Sequence, residues 1–424
     1  MTTAQPEPAY TRRHSTFFGV TAALVTLFMA TSSAPSPLYV VYQRMWGFSP
    51  TVLTVIFAIY VLGLLAALLV VGRLSDHVGR RPVLTGAIAL EAVSLVVFLL
   101  ADSTAVLCAA RLLQGVATGA AISVLGAALV DLAHPQAKHR AGAVNSVAPT
   151  AGLALGALGC GALVQYGPAP THLVYAVLLA GMVLAGVVVT AMPETVVRRP
   201  GAVRSLRPNA AIPRHLRARI VPVIPVLIAG WALGGLYFSL GPSVAVGVFG
   251  LGSHLIGGIV IALLCAVAAL SSFLVRPVPA GRLLLPAAAA LGLGTVLLLI
   301  GLHGGHVSFA VAGTVVAGAG FGAVAMAAFG TVAGNARSHE RGALIAAVYV
   351  ISYLAFSVPA VAAGLADTHI GLRPTAETYT LVVLGLIVLA LVLHLLLDHS
   401  EPAAEHVRQA PQAQRDATTT TTTR

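Results

Sequence analysis

The chain has 424 residues, of which 58% are hydrophobic and only 9% are Asp, Glu, Lys or Arg, whereas soluble domains carry about 25% charged residues. With a mean hydropathy of +0.93, too little polar surface remains to cover the apolar residues in water. These values exclude a soluble enzyme, a disulfide-linked secreted scaffold and a disordered chain. They predict an all-α polytopic membrane protein.

Twelve segments are apolar over the length of about 20 residues that a helix needs to cross a bilayer. In chain order they are Phe17–Tyr42, Thr51–Val71, Pro82–Leu100, Thr104–Val130, Ala141–Tyr166, His172–Met192, Ile220–Gly247, His254–Val275, Leu283–Leu302, Val307–Val332, Ala343–Leu365 and Tyr379–Leu397. Polar stretches divide the chain into a tail (1–16), a six-helix bundle (17–192), a basic linker (193–219), a second six-helix bundle (220–397) and a tail (398–424) that we expect to be disordered.

The basic residues are distributed unevenly between the two sides that these spans define. Twenty-one of the 24 Lys and Arg residues lie on the side of the tails and the linker, Arg44 and Arg373 lie on the other side, and Arg111 lies within the fourth span. Because basic residues are retained on the cytoplasmic side of membranes, we expect both termini in the cytoplasm and the protein in the plasma membrane. The same distribution explains the net charge of +11 without a nucleic-acid partner.

The two halves share positions that indicate an internal duplication. The correspondences are Gly79-Arg80 with Gly281-Arg282, Arg140 with Arg341, and Gly115 and Gly119 with Gly318 and Gly322, at offsets of 202, 201 and 203 residues. Near-equal offsets at matching loops and spans predict two pseudo-symmetric six-helix bundles. In transporters built from repeats, the halves rock about a site near the membrane midplane.

The loop after the second span carries a specific motif. It reads Gly72-Arg73-Leu74-Ser75-Asp76-His77-Val78-Gly79-Arg80-Arg81-Pro82 and resembles the Gly-x-Leu-x-Asp-x-x-Gly-Arg-Arg-Pro motif of the major facilitator superfamily. The resemblance implies the twelve-helix fold of that family and a conformational latch formed by Gly72, Asp76, Gly79, Arg80 and Arg81. It also implies that Asp76 docks at the start of the eleventh span, near Gly342 and Ala343, in the outward-open state. The alternative is a surface turn without this role.

Two less specific motifs lie in the fourth and fifth spans. Arg111-Leu112-Leu113-Gln114-Gly115 resembles the Arg-x-x-Gln-Gly element of proton-coupled family members. Ala148-Pro149-Thr150-Ala151-Gly152 resembles the Gly-Pro-x-x-Gly-Gly element of the drug:proton antiporters, although Ala148 and Leu153 replace two of its glycines. These likenesses imply helix-packing or gating roles for Gly115, Pro149 and Gly152, and they favour the drug:proton antiporter branch of the family.

Glu91 and Arg111 are the ionisable residues, other than His and Tyr, that lie deep in the predicted spans. An unpaired charge at the bilayer centre costs about 2.5–3.5 kcal/mol, which predicts a partner for each. Their depths differ by roughly 3 residues, or ~4.5 Å of helix rise. We therefore predict a Glu91–Arg111 pair in which Glu91 takes up the coupled proton. The alternatives are a static pair, a Glu91 that contacts other polar groups, and a neutral Glu91 in a peripheral helix.

Helix breaks and aromatic residues mark the candidate substrate cavity. Pro35 and Pro37 in the first span and Pro242 in the seventh free backbone carbonyls, which membrane proteins tolerate where they line a cavity; structural kinks are the alternative. The candidate cavity residues are Tyr39, Gln114, Trp231, Tyr237, Tyr349 and Tyr353. Aromatic rings with a polar tip suit amphipathic organic molecules, although rings near span ends also serve as interfacial anchors.

These features predict a secondary transporter that exports amphipathic compounds by proton antiport. We expect it to act as a monomer, with a small organic substrate, protons and membrane lipid as its partners. A sugar or metabolite permease is the alternative within transport, and a receptor or scaffold that no longer transports is the alternative outside it. No enzyme, metal or cofactor is predicted, because the spans contain no nucleophile–base pair, metal-binding spacing or nucleotide-binding loop.

Overall fold

The computed structural model describes residues 12–134, 136, 138–208, 210–335 and 340–398. It is 86% helical, and the described part of the chain contains no strand. The all-α class predicted from composition is therefore confirmed. Most of both predicted tails lies outside the described residues.

The helices follow one another with short connections. The first half contains α1 (Arg12–Ser33), α2 (Pro35–Trp46), α3 (Pro50–Val71), α4 (Ser75–Val78), α5 (Arg80–Leu99), α6 (Thr104–Leu132), α7 (Lys138–Tyr166) and α8 (Leu173–Thr190). The linker contains α9 (Ala202–Ser205) and α10 (Arg217–Ile220). The second half contains α11 (Ile224–Ser239), α12 (Gly241–Gly247), α13 (His254–Val275), α14 (Ala280–Gly304), α15 (Val307–Asn335), α16 (Arg341–Ile370) and α17 (Leu372–Asp398).

In the described residues, eleven spans are long and apolar enough to cross a membrane when α1 and α2 are counted as one. The bent pair α11 and α12, whose axes meet at 57°, makes a twelfth. This agrees with the twelve predicted spans. The last span begins at Leu372 rather than at Tyr379, because Gly371 (φ +85°) ends α16 and the next helix starts at once.

Two hydrophobic cores divide the molecule into halves. One core is built mainly from α1–α8 and includes the fully buried Phe28 and Leu125. The other is built from α11–α17 with the end of the linker, and it includes Leu291 and Leu344. The fold is therefore the predicted pair of six-helix bundles.

The same helix contact occurs in both halves, at the glycines that the sequence offsets relate. A Cβ at Gly115 of α6 would overlap the backbone carbonyl of Tyr60 in α3. In the second half, a Cβ at Gly322 of α15 would overlap the carbonyl of Ala268 in α13. Small residues let helix backbones approach closely in membranes, so these glycines fix equivalent helix pairs. The first span also breaks at Ala34 and the seventh at Leu240.

The halves meet at one end of the molecule. We call the side that carries residues 193–219 the linker face and the opposite side the far face. At the far face, Thr51 donates a hydrogen bond to the Gly364 carbonyl (3.0 Å), and the Gln165 side chain accepts one from the His254 N–H (3.0 Å). Gly258 of α13 lies directly against the backbone of α7. These contacts close the space between the halves from the far face.

The linker is attached to both halves through its backbone. The N–H of Arg199 donates to the His77 carbonyl in the first half (3.0 Å), and the N–H of Ala211 donates to the Ala343 carbonyl in the second (3.2 Å). Its described arginine side chains are exposed. This arrangement fits a solvated segment that connects two bodies.

Replacing Gly115 by alanine should destabilise the folded protein, because the added methyl group overlaps the Tyr60 carbonyl and overpacking costs about 1–3 kcal/mol. Thermal unfolding of the purified protein in detergent measures the effect. The matched control is Gly86→Ala in α5, where nothing lies within 4 Å of the added Cβ. Equal melting temperatures for the two variants would contradict the proposed close packing of α6 on α3.

Candidate functional site: a buried polar network facing an aromatic surface

The break in the first span exposes backbone acceptors inside the first half. Pro35 has no N–H to donate to the Thr31 carbonyl, the i−4 acceptor of a continuous helix. The Gln114 side-chain amide donates to this carbonyl instead (2.9 Å), and the Arg111 guanidinium donates to the neighbouring Ser32 carbonyl (3.1 Å). The broken helix therefore supplies the acceptors that hold two polar side chains of α6.

Gln114 lies between the two buried charges. Its Oε1 accepts a hydrogen bond from Arg111 Nη1 (2.5 Å), and its Nε2 donates to Glu91 Oε1 (3.2 Å). All three residues are at most 1% exposed. The predicted direct Glu91–Arg111 pair is not formed in this conformation. Gln114, three residues from Arg111 and on the same helix face, fills the gap that the difference in depth leaves between the two charges.

Two tyrosines cover the guanidinium group. The Arg111 Cζ lies 4.4 Å from the centre of the Tyr60 ring and 5.6 Å from that of Tyr39, distances at which a cation–π attraction is substantial. Ser32 Oγ donates to the Tyr60 hydroxyl (2.6 Å), which orients that ring. Arg111 Nε, Glu91 Oε2 and the Tyr39 hydroxyl are buried without a hydrogen-bond partner. The network is thus tightly enclosed but retains unused hydrogen-bonding capacity.

The fifth-span motif packs against the broken helix. Pro149 lies inside α7, and Gly152 one turn later contacts α1, where an added Cβ would overlap the Thr26 carbonyl and lie 2.7 Å from Met29 Cβ. This contact lies just before the break at Ala34. The predicted packing role of Gly152 is compatible with this position, and its gating role stays a prediction.

An aromatic cluster on the second half faces the first half. The Trp231 ring lies 5.2 Å from Tyr353 and 5.8 Å from Phe356, and Tyr349 stacks 6.1 Å from Tyr353, all measured between ring centres. Phe356 also lies 4.9 Å from Phe57 of α3. Trp231 and Tyr353 are only partly buried. Such a surface suits flat or apolar parts of an organic molecule.

The structure separates the predicted cavity residues into three groups. Trp231, Tyr349 and Tyr353 form the aromatic surface, whereas Tyr39 and Gln114 belong to the buried network of the first half. Tyr237 lies elsewhere, inside the second half, where its hydroxyl bonds that of Thr314 (2.7 Å).

Sequence reasoning missed Tyr60, Phe57 and Phe356, which complete the network and the aromatic surface. Each lies within an apolar helix without a motif, so no local pattern distinguishes these rings from ordinary core residues.

The loop after the second span folds into a charged cluster at the linker face. Arg80 Nη1 lies 2.5 Å from Asp76 Oδ1, and Arg80 Nε lies 3.1 Å from Asp131 Oδ2 at the end of α6. The Glu194 carboxylate accepts from the Arg80 N–H (2.8 Å) and so caps the N-terminus of α5, where a negative charge is favourable. Gly79 adopts φ +112° and leaves no room for a Cβ beside Glu194, which explains the glycine in the motif.

The predicted latch residues differ in their surroundings. Asp76 contacts Arg80 within its own loop, while the Ala343 carbonyl at the start of α16 accepts from the linker and nothing lies within 4 Å of a Cβ at Gly342. The Arg81 side chain is exposed. In this conformation Asp76 pairs within its loop, and its docking on α16 stays a prediction for the opposite state. Asp131 and Glu194, which sequence reasoning missed, are the loop's partners outside the motif.

Asp76→Asn should slow transport about five-fold, because it removes a negative charge that stabilises a helix N-terminus by about 1 kcal/mol in the docked state. Initial transport rates in proteoliposomes measure the effect. Arg73→Gln, an exposed charge change in the same loop, serves as the control. An Asp76→Asn variant with an unchanged rate would show that the loop is no latch.

Comparison with known proteins identifies the family of this chain. The family model described as Major Facilitator Superfamily matches residues 20–360. The human organic anion transporter MFSD10 (TETRAN) has a similar solved structure, with 20% sequence identity, coverage of 91% of this chain and 99% of that chain, and a TM-score of 0.65.

Two bacterial structures are also similar. One is a bacterial homolog of the human lysosomal transporter Spinster in an inward-facing conformation (13% identity, 92% and 98% coverage, TM-score 0.70). The other is the xylose transporter XylE from E. coli in a partially occluded inward-open conformation (15% identity, 90% and 96% coverage, TM-score 0.69). At these identities the likeness shows the fold alone. The family model matches most of the length of this chain, and the apolar spans form two bundles. We conclude that this chain, a multi-pass membrane protein with a transporter fold, belongs to the Major Facilitator Superfamily.

Proposed function

We propose that the protein is a proton-coupled secondary transporter that exports small amphipathic organic compounds by alternating access, as in the drug:proton antiporter branch. The observation that carries this proposal is the position of a buried carboxylate and a buried guanidinium, bridged by Gln114, next to a helix break. The aromatic surface of the second half lies opposite. The buried network offers a site for a proton, and the aromatic surface offers contacts for an amphipathic substrate.

The network gives a physical basis for coupling. Glu91 and Arg111 are both fully buried, and a change in the charge of one alters the electrostatic balance of the other in a low-dielectric interior. Protonation of Glu91 weakens the hydrogen bond that its Oε1 accepts from Gln114, and Gln114 also bonds Arg111 and the Thr31 carbonyl at the break. Because α1 and α2 meet at this break, a change there alters the angle between the two parts of the first span.

The buried network of the first half and the aromatic surface of the second half come close to each other along α3 and α16. Phe57 contacts Phe356 across the halves, and Tyr60 and Tyr353 lie three residues from these rings, on the same helix faces. Tyr60 covers Arg111, and Tyr353 belongs to the aromatic surface. A substrate that separates Phe57 from Phe356 would therefore move rings that contact the network.

A sugar or metabolite permease is the second candidate, and a receptor without transport is the third. A sugar needs several free amide or hydroxyl groups in the central space. The oxygen and the nitrogen of the Gln114 side-chain amide both form hydrogen bonds within the network, and the opposing surface is aromatic. The intact loop cluster around Arg80 argues against loss of transport.

The test is transport by the purified protein in proteoliposomes with an imposed pH gradient. A panel of amphipathic cations, anions, neutral aromatic compounds and sugars is compared with and without the gradient. We expect accumulation of an amphipathic compound that requires the gradient. Sugar movement that is indifferent to pH would favour the permease, and inactivity toward the whole panel would favour the receptor.

The same proposal includes an orientation. We place both termini and the linker face in the cytoplasm and the protein in the plasma membrane as a functional monomer, because the basic residues are concentrated at that face. In this orientation the far-face contacts close the extracellular side. Protease accessibility of terminal tags in intact cells tests it, and cleavage of either tag from outside would contradict it.

A further inference from the structure

The turn between α13 and α14 carries two arginines where two membrane spans end. α13 ends at Val275 and α14 begins at Ala280. Arg276 and Arg282 therefore lie at the linker face, at the level where both spans leave the hydrocarbon of the bilayer. Both side chains are exposed. Neither forms an ion pair within the part of the chain that the structure describes.

The duplicated turn of the first half has the same arginine in different surroundings. Arg282 corresponds to Arg80, at the offset of 202 residues. The Arg80 side chain is largely buried, and it contacts the carboxylates of Asp76 and Asp131. In the first half, two negative charges therefore balance the arginine of this turn.

The second turn keeps the arginine without these carboxylates. At the same offset, Val278 stands at the position of Asp76, and Ala333 stands at that of Asp131. No Asp or Glu occurs in the sequence between Glu194 and Glu340. The retention of positive charge on one side of the membrane explains the location of these arginines. It does not supply the counter-charge that the first half provides.

Exposed apolar side chains adjoin the two arginines. Phe273 and Leu274, in the last turn of α13, are 45% and 61% exposed. On a membrane span such side chains face lipid. The Arg276 Cζ lies 4.2 Å from the centre of the Phe273 ring, so a cation–π contact holds this guanidinium at the edge of the apolar surface. A phospholipid matches this surface, since it presents acyl chains next to a phosphate group.

We propose that the turn between α13 and α14 binds an anionic phospholipid, whose phosphate group lies on Arg276 and Arg282. Its acyl chains lie against Phe273 and Leu274. The lipid supplies the negative charge that carboxylates supply to Arg80 in the first half, and guanidinium groups hold phosphate through paired hydrogen bonds. A zwitterionic headgroup carries its own cation and leaves the arginines unbalanced. Because the site faces the lipid, it does not depend on which compound the protein transports.

The test uses phosphatidylglycerol that carries a diazirine on an acyl chain, at a subsaturating mole fraction in phosphatidylcholine nanodiscs containing the full-length protein. We expect labelling of peptides from the end of α13 and the start of α14. Labelling should fall about five-fold in Arg276→Gln or Arg282→Gln and about 25-fold in the double variant. Arg73→Gln is the matched control, because Arg73 is the exposed arginine that corresponds to Arg276 in the first turn. It should label normally.

Val278→Asp tests the exchange of lipid for carboxylate directly. It places a carboxylate four residues before Arg282, which is the spacing of the Asp76–Arg80 pair. This carboxylate pairs with Arg282 and repels the lipid phosphate, so labelling should fall by about five-fold or more. Val278→Asn adds a side chain of the same shape without the charge and should label normally.

Three results would overturn the proposal. The first is equal labelling of the unaltered protein and the double variant of Arg276 and Arg282. The second is equal labelling by a phosphatidylcholine probe with the same acyl chain, since the turn would then have no preference for negative charge. The third is displacement of the lipid by soluble glycerol phosphate at constant ionic strength, since the site would then take a free phosphate. Thermal unfolding of every variant in detergent separates loss of the site from loss of the fold.

Discussion

Arg111→Ala is expected to reduce transport at least about 100-fold and to lower the stability of the folded protein. Removal of one member of a buried charged network leaves the other uncompensated and costs about 3–5 kcal/mol. Here it leaves Glu91 without a balancing cation, Gln114 Oε1 without its donor and the Ser32 carbonyl without its partner. Transport rates in proteoliposomes and thermal unfolding in detergent measure the two effects.

Two further variants separate charge from geometry at this position. Arg111→Lys keeps the cation but cannot bond Ser32 and Gln114 with the same planar group, so it should recover stability better than transport. The double variant Arg111→Ala with Glu91→Gln removes both charges and should unfold at a higher temperature than Arg111→Ala alone. Arg111→Ala with normal transport would remove the network from the mechanism.

Glu91→Gln is expected to abolish gradient-driven accumulation of substrate. The rate of downhill exchange should stay within about two-fold of the rate of the unaltered protein. Glutamine has the shape of a protonated glutamate and cannot release the proton. Gln114 can still bond it, so the protein should remain folded. Accumulation against a concentration gradient is compared with exchange at equal pH on the two sides of the membrane.

The control for Glu91→Gln is Asp102→Asn, an exposed carboxylate at the far-face turn after α5. It should preserve both transport modes. If Glu91→Gln still accumulates substrate in response to the pH gradient, Glu91 has a static structural role, and another group carries the proton. Loss of both accumulation and exchange, with normal folding, would also argue against a role confined to the proton.

The arrangement of Glu91, Gln114 and Arg111 shows what sequence reasoning missed at the site. The cost of charges in the bilayer correctly predicted that both residues need partners. The depth comparison identified a gap but not the residue that fills it. The sequence predicts Gln114 as a cavity residue because the family resemblance places the fourth span beside the cavity, whereas its position three residues after Arg111 directs its side chain into the network.

At the prolines of the first span, by contrast, the sequence predicts a feature of the site directly. A missing N–H at Pro35 predicts a free carbonyl at Thr31 from covalent chemistry alone, and the structure shows that Gln114 occupies it. The identity of the donor depended on how α6 packs on α1, which Gly115, Gly119 and their contacts with α3 help to set. Likewise, the sequence shows Glu194 as an acidic residue after the sixth span, and only the fold shows that its carboxylate lies at the start of α5.

The sequence by itself determined the membrane class, the number of spans, the duplication, the family motif and the two broken helices. Each of these depends on hydropathy, on covalent structure or on spacing along the chain. Only the tertiary structure decided which rings form the aromatic surface and which partner bridges the buried charges. These contacts depend on the rotation and tilt of each helix. Close packing between distant segments fixes rotation and tilt, and the composition of a single helix does not.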